Sequence, residues 1–305
     1  MIYFIKYQLS LLAVAMFSLG CNITQQENPQ DATQNAAQAS EEKLDDAQVN
    51  AFATLEQKAA AALNSQQMVL ARQLIGKGLQ QTQKAGRQYE MYEARFSLLK
   101  GKLEHQKGRS TEARRFFGDA MAVFRIRKNA SGTFEVRLAQ ASLEESSGDF
   151  AAAQRELDEA QKLISEVNDA NLRGEFTFTQ AELFASQMKH KDASRLFLEA
   201  AEQFHANKNP KREADSFVAL ASCEESLEKA QDSKNSLNKA YKIYMGAEDK
   251  EGAVKALHKL AQFSLRDEKY KTAKEQLKRV EALYLELGKQ SDATKVNQHL
   301  SSLPE

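Results

Sequence analysis

The chain is poor both in residues that interrupt helices and in residues that staple small folds. Its 305 residues include three prolines, no tryptophan and two cysteines, Cys21 and Cys223. So few prolines leave long stretches free to coil, and two cysteines cannot build a disulfide framework. Net charge is missing as well. Lys and Arg number 42, and so do Asp and Glu, which removes the basic surplus expected of a nucleic-acid binder. The short motifs of chemistry are also absent. The histidines His105, His190, His205, His258 and His299 fall into no H-E-x-x-H or Cys/His metal spacing. There is no glycine-rich phosphate loop and no G-x-S-x-G elbow. The expectation is a non-enzymatic chain with no catalytic residues, no cofactor and no metal. What is abundant is Ala, Leu, Glu, Gln and Lys, the good helix formers, so the composition reads as all-α.

Residues 1–20 read as an address. After Lys6 comes an apolar run of eleven residues, Leu9 to Leu19. A membrane span takes about 20, whereas a signal-peptide core is of this shorter length. Gly20-Cys21 follows, and the segment resembles a bacterial lipobox, with Ser18 and Leu19 reversing the usual order of aliphatic and small residue. The resemblance implies cleavage after Gly20, lipidation of Cys21 and anchoring in a bacterial envelope. Asn22 favours the outer membrane, facing the periplasm. The alternative is secretion, or anchoring by an uncleaved N-terminal segment. Residues 21–45 carry no aromatic side chain and cannot bury enough apolar surface to fold alone. They read as the lipidated cysteine and a flexible tether.

From residue 46 a unit of forty residues repeats. Ala153, Leu157 and Ala160 return one period earlier as Ala113, Phe117 and Ala120. Later they return as Ala193, Phe197 and Ala200, then Ser233, Leu237 and Ala240, then Ala273, Leu277 and Val280. The preceding helix keeps the same register, with a small residue at Gly101, Ala141, Ala181, Ala221 and Ala261. Two positions on stand Leu103, Leu143, Leu183, Cys223 and Phe263, so Cys223 reads as a packing cysteine. An earlier copy, Ala59 followed by Ala71, Ile75 and Gly78, is offset by two. Small residues let helix axes approach, and the neighbouring Leu or Phe fills the hollow beside them. Turns are expected at Gly108-Arg-Ser, Ser147-Gly-Asp and Asp267-Glu-Lys, and Asn209-Pro210 reads as an N-cap with proline at the first helical position. The array divides into about 46–87, 88–130, 131–170, 171–210, 211–250 and 251–290. In the cap, 291–305, Val296 and Leu300 keep the register while Asn297, Gln298 and His299 are polar.

This pattern resembles the tetratricopeptide repeat, whose signature pairs Leu-Gly in a first helix with A-x3-F in a second. The forty-residue period and the scarcity of large aromatics in the first helix resemble the family's long-repeat branch. The resemblance implies an all-α, right-handed superhelical array of antiparallel helix pairs, with first helices lining a concave groove. On that face the third to fifth units place Glu135, Glu145, Glu175, Glu182, Asp215 and Glu225, with no Lys or Arg in the same stripes. Arg95, Lys102 and Lys255 flank them, and Leu138, Phe178 and Val218 form an apolar row between them. The expectation is a negative, partly apolar groove that takes a protein or peptide with a basic segment, Phe178 being the anchor. The Lys/Asn set that clamps a C-terminal carboxylate in some co-chaperone arrays is absent. An interaction scaffold or adaptor leads. A receptor for a diffusible peptide or glycan follows, because receptors of that style carry an output domain not found in this sequence.

Overall fold

The computed structural model describes residues 44–304; the signal segment and Cys21 lie outside them. A compact unit begins at Asp46. Thirteen α-helices follow one another, with no strand among the described residues. They are α1 (Asp46–Asn64), α2 (Met68–Ala85), α3 (Glu90–Gln106), α4 (Ser110–Ile126), α5 (Ala130–Ser146), α6 (Phe150–Gln161) and α7 (Ala170–Ser186). Then come α8 (His190–Ala206), α9 (Pro210–Ser226), α10 (Ala230–Gly246), α11 (Lys250–Arg266), α12 (Tyr270–Glu286) and α13 (Gln290–Ser302). Each odd-numbered helix up to α11 pairs with the next, giving six helix pairs and a terminal helix.

The period has a local cause. From α3 to α12 every helix except α6 is 17 residues long. Beyond each end stands a residue with left-handed backbone: Gly108, Lys128, Gly148, Met188, Lys208, Glu228, Glu248, Glu268 and Gly288. The next amide then returns to a carbonyl of the last turn, as Asn129 N–H does to Phe124 O (2.8 Å) and Asp249 N–H to Tyr244 O (2.9 Å). This closure satisfies carbonyls that a helix end leaves bare. The first helices restart on side-chain caps forty residues apart. Asn129, Asp169, Asn209 and Asp249 accept from the backbone N–H of Gly132, Asn171, Arg212 and Gly252. Pro210 stands just inside the Asn209 cap, where its missing N–H costs nothing.

The repeat positions are the core. Ala113, Phe117, Ala120, Ala153, Ala160, Ala181, Ala193, Ala200, Ala240 and Ala273 have no exposed surface. Cys223 is 3% exposed, and burial pushes its thiol above the ordinary range. Gly101 shows why the first-helix position stays small: a β-carbon there would stand 2.4 Å from the Phe117 ring. In α13, Ala293 and Val296 are buried while Asn297, Gln298 and His299 are exposed, as a terminal helix with one neighbour requires.

One element breaks the pattern. The forty-residue register carries α6 to about Glu166, but it ends at Gln161, and Leu163 to Val167 form loose turns with amide bonds of 2.9–3.4 Å. Asn168, where the left-handed series should continue, is not left-handed. In α4, α8 and α10 the last turn is pinned by an aromatic ring: Phe124 against Gly132, Phe204 against Gly174, Tyr244 against Gly252. Here that position is Ile164, half-buried, and Val167 is the side chain that enters the core, at 1% exposure.

Candidate interaction groove

A cleft of about 610 Å³ opens along the first helices of the first five units. It is lined by Glu56 and Ala60 of α1, Leu99 and Lys102 of α3, Glu135, Leu138 and Ser142 of α5, Asn171, Glu175 and Thr179 of α7, and Arg212 and Asp215 of α9. A period of forty puts the same helix face of each unit on the same wall. Polar and apolar side chains both line it, the mixed lining that a peptide groove needs.

Ion pairs between consecutive first helices hold the wall. Arg95 reaches Glu56 (3.2 Å), and Lys102 reaches Glu135 (2.5 Å). Arg212 forks onto both oxygens of Glu175, at 2.6 and 2.5 Å, and contacts Asp215 at 3.1 Å. Tyr244 donates its hydroxyl to the other Asp215 oxygen at 2.5 Å. Lys211 meets Asp249 at 2.6 Å, and the amide of Asn209 donates to Asn171 at 3.0 Å. Burial opposes the Arg212 cation, but Glu175, Asp215 and Glu182 outweigh it and raise its pKa. Burial likewise opposes ionisation of Glu135, yet the Lys102 ammonium holds that carboxyl below its usual range.

Of the residues expected in the groove, Glu135, Leu138, Glu175 and Asp215 line the cleft. Glu145, Phe178, Glu182, Val218 and Glu225 do not. Glu225 pairs with Arg266 at 2.6 Å on the exposed surface, and Glu145 accepts from the Ser186 hydroxyl. Two expectations are corrected by this geometry. Phe178 is no open anchor. It is 8% exposed, stands edge-on to Phe197 at 5.2 Å, and is covered by the Arg212 guanidinium at 4.1 Å. Val218 is half-buried against the same core. The wall is also not an unpaired negative stripe, because Arg212 and Lys102 neutralise its acids from neighbouring helices.

Arg212, Lys211 and the amides of Asn171 and Asn209 escaped the sequence reading. They sit in or just before the first turn of their helices, outside the stripes compared there. A signal was available: Glu175 and Arg212 are separated by one period less one helical turn, which stacks opposite charges on adjacent first helices.

Among the described residues no cluster of His, Cys, Asp or Glu is arranged to hold a metal ion. No described helix is long and apolar enough to cross a membrane.

Residues 169–301 match the family model of the soluble NSF attachment protein, SNAP. No curated protein matches the chain in sequence. Several solved structures are similar in fold. One is a signal transduction ATPase with numerous domains (STAND) with a tetratricopeptide repeat sensor, from Pyrococcus horikoshii. It has a TM-score of 0.63 and 12% identity over 78% of this chain and 35% of that one, so this chain spans about a third of its length. A second is a Rap protein complexed with Competence and Sporulation Factor, with a TM-score of 0.62 and 11% identity over 90% of this chain and 79% of that one. The apo form of RapI follows, with a TM-score of 0.51 and 13% identity over 81% and 95%. The shared architecture is the TPR-like helical-repeat solenoid.

Proposed function

We propose that the chain is a non-enzymatic interaction scaffold that holds a segment of a partner protein in its concave cleft. The observation that carries this reading is the cleft itself: five successive first helices present one continuous wall of mixed polar and apolar side chains. Because the wall's acids already have cations, recognition rests on its uncharged polar groups, the amides of Asn171 and Asn209 and the hydroxyl of Ser142. A basic segment in the partner gains less here than it would from an unpaired stripe. Anchoring through a lipid on Cys21 to a bacterial envelope membrane, the outer membrane facing the periplasm, belongs to the same proposal and is supported by the sequence. A second reading, a receptor for a diffusible ligand, is favoured by the partial enclosure of the cleft and by the Rap complex with Competence and Sporulation Factor.

The scaffold reading is tested by photo-crosslinking in native membranes, with the crosslinker at Ser142 or Asn171 in the cleft and at Lys191 on an exposed second helix. A discrete protein adduct from the cleft positions alone supports it. Adducts from Lys191 alone move the interface to the outer surface, and a small bound molecule seen by native mass spectrometry selects the receptor. Labelled palmitate incorporated by the full chain but not by Cys21→Ala supports the anchor, and equal labelling of the two removes it.

A further inference from the structure

The array is fastened unevenly. Ion pairs join α1 to α3, α3 to α5, α7 to α9, α9 to α11 and α11 to the N-cap of α13. None joins α5 to α7, and no ion pair of the described residues runs from the stretch ending at Glu166 to the stretch beginning at Asp169. Two side-chain hydrogen bonds span the junction, from the Ser186 hydroxyl to Glu145 and from the Arg173 guanidinium of α7 to the Val167 carbonyl at 2.5 Å. One acid faces another there: Glu145 on α5 and Glu182 on α7 repel each other. The short helix α6 and its loose turns lie at the same junction, and the left-handed closure is missing there. The rest of the seam is apolar contact, with Phe134 and Phe176 at 6.0 Å and Val167 buried beside them. The SNAP family match begins at residue 169, the N-cap of α7.

We propose that the junction between α5 and α7, with its short helix α6, is a hinge that divides the repeat array into two blocks, 46–161 and 170–302. Apolar contact lacks direction and tolerates a small rotation, whereas ion pairs and closed turns fix an angle. Small rotations at one soft interface between stiff bodies make a hinge. The cleft crosses the seam, drawing walls from α1, α3 and α5 on one side and from α7 and α9 on the other, so rotation there widens or narrows it. This inference goes beyond the scaffold reading and does not depend on it, since the motion is a property of the free chain.

The test uses the full chain without a partner. Thr111, Lys191 and Lys271 are exposed and occupy the same register position, two periods apart. Spin labels are placed pairwise on them, in a background of Cys21→Ser and Cys223→Ala, and the distance distributions are measured by pulsed double-resonance spectroscopy. The Thr111/Lys191 pair spans the seam, and the Lys191/Lys271 pair lies within one block. The expected distribution is about twofold broader for the spanning pair. Ser186→Lys sets a cation at the exposed end of α7 beside Glu145 and should narrow the spanning pair alone. Since Ser186 is exposed, this variant keeps the core intact. Equal widths for the two pairs, or a spanning width unmoved by Ser186→Lys, would overturn the hinge.

Discussion

The guanidinium carbon of Arg212 lies 4.1 Å from the centroid of the Phe178 ring. One residue from the start of α9 thus roofs the apolar core of the preceding unit and neutralises Glu175 and Asp215 on the cleft wall. A planar cation can stack on a ring and fork onto a carboxylate at once, and lysine cannot do both.

Arg212→Ala should therefore destabilise the chain by about 1–3 kcal/mol, through an uncovered ring and two acids without a counter-ion. Arg212→Lys should recover less than half of that loss. Urea denaturation followed by circular dichroism measures both. A lysine variant as stable as wild type would mean that charge alone matters, not the fork and the stack.

Glu182 supplies a pH dependence of known sign. Burial pushes its carboxyl up to about 8. Arg212 opposes the shift, and Glu145, Glu175 and Asp215 add to it. The native state holds this proton more tightly than the unfolded chain does, so the contribution to stability falls as pH rises from the ordinary glutamate range through about 8, and is constant above. Glu182→Gln lacks the ionisation. Its stability should equal that of wild type near pH 5 and exceed it increasingly up to about pH 8 to 9. Urea midpoints across that range decide the matter, and an offset that does not change with pH would contradict the assignment.

Two glycines with empty surroundings separate backbone strain from packing. Gly148 closes α5 with φ of 82° and has nothing within 4 Å of a would-be β-carbon, and Gly118 lies inside α4 with the same free space. Gly148→Ala should cost about 1–2 kcal/mol through left-handed strain alone. Gly118→Ala should gain about 0.5–1 kcal/mol from helix propensity. Thermal melts of the two variants should move in opposite directions, and a shared direction would show that the closing turn can relax.

The repeat was legible because its residues are the core. Ala153, Leu157 and Ala160 recur wherever a second helix meets a first, and their burial depends on shape that the residue type itself records. The Asn209 cap and the polar face of α13 were legible for the same local reason. The early end of α6 was not evident, because Ile164 in place of an aromatic looks conservative until the rings of Phe124, Phe204 and Tyr244 are seen resting on neighbouring backbones. The groove was half legible. Periodicity placed Glu135, Glu175 and Asp215 on one wall, but whether a charge is spent inside the wall depends on side chains reaching from the next helix. Comparing equivalent positions alone therefore overlooked Arg212.

The left-handed residues that close the helices fix how the length of such a chain can change. Lys208 and Glu248 stand at the same point of consecutive units, with φ of 55° and 58°. A gene that lost or duplicated the residues between them would rejoin like to like, and everything downstream would keep its direction and phase. A change half as long would exchange inner helices for outer ones from that point on. Any other length would turn the downstream faces away from their neighbours. The reach of the groove is thus quantised: it can lengthen or shorten by one whole unit at a time and by nothing smaller.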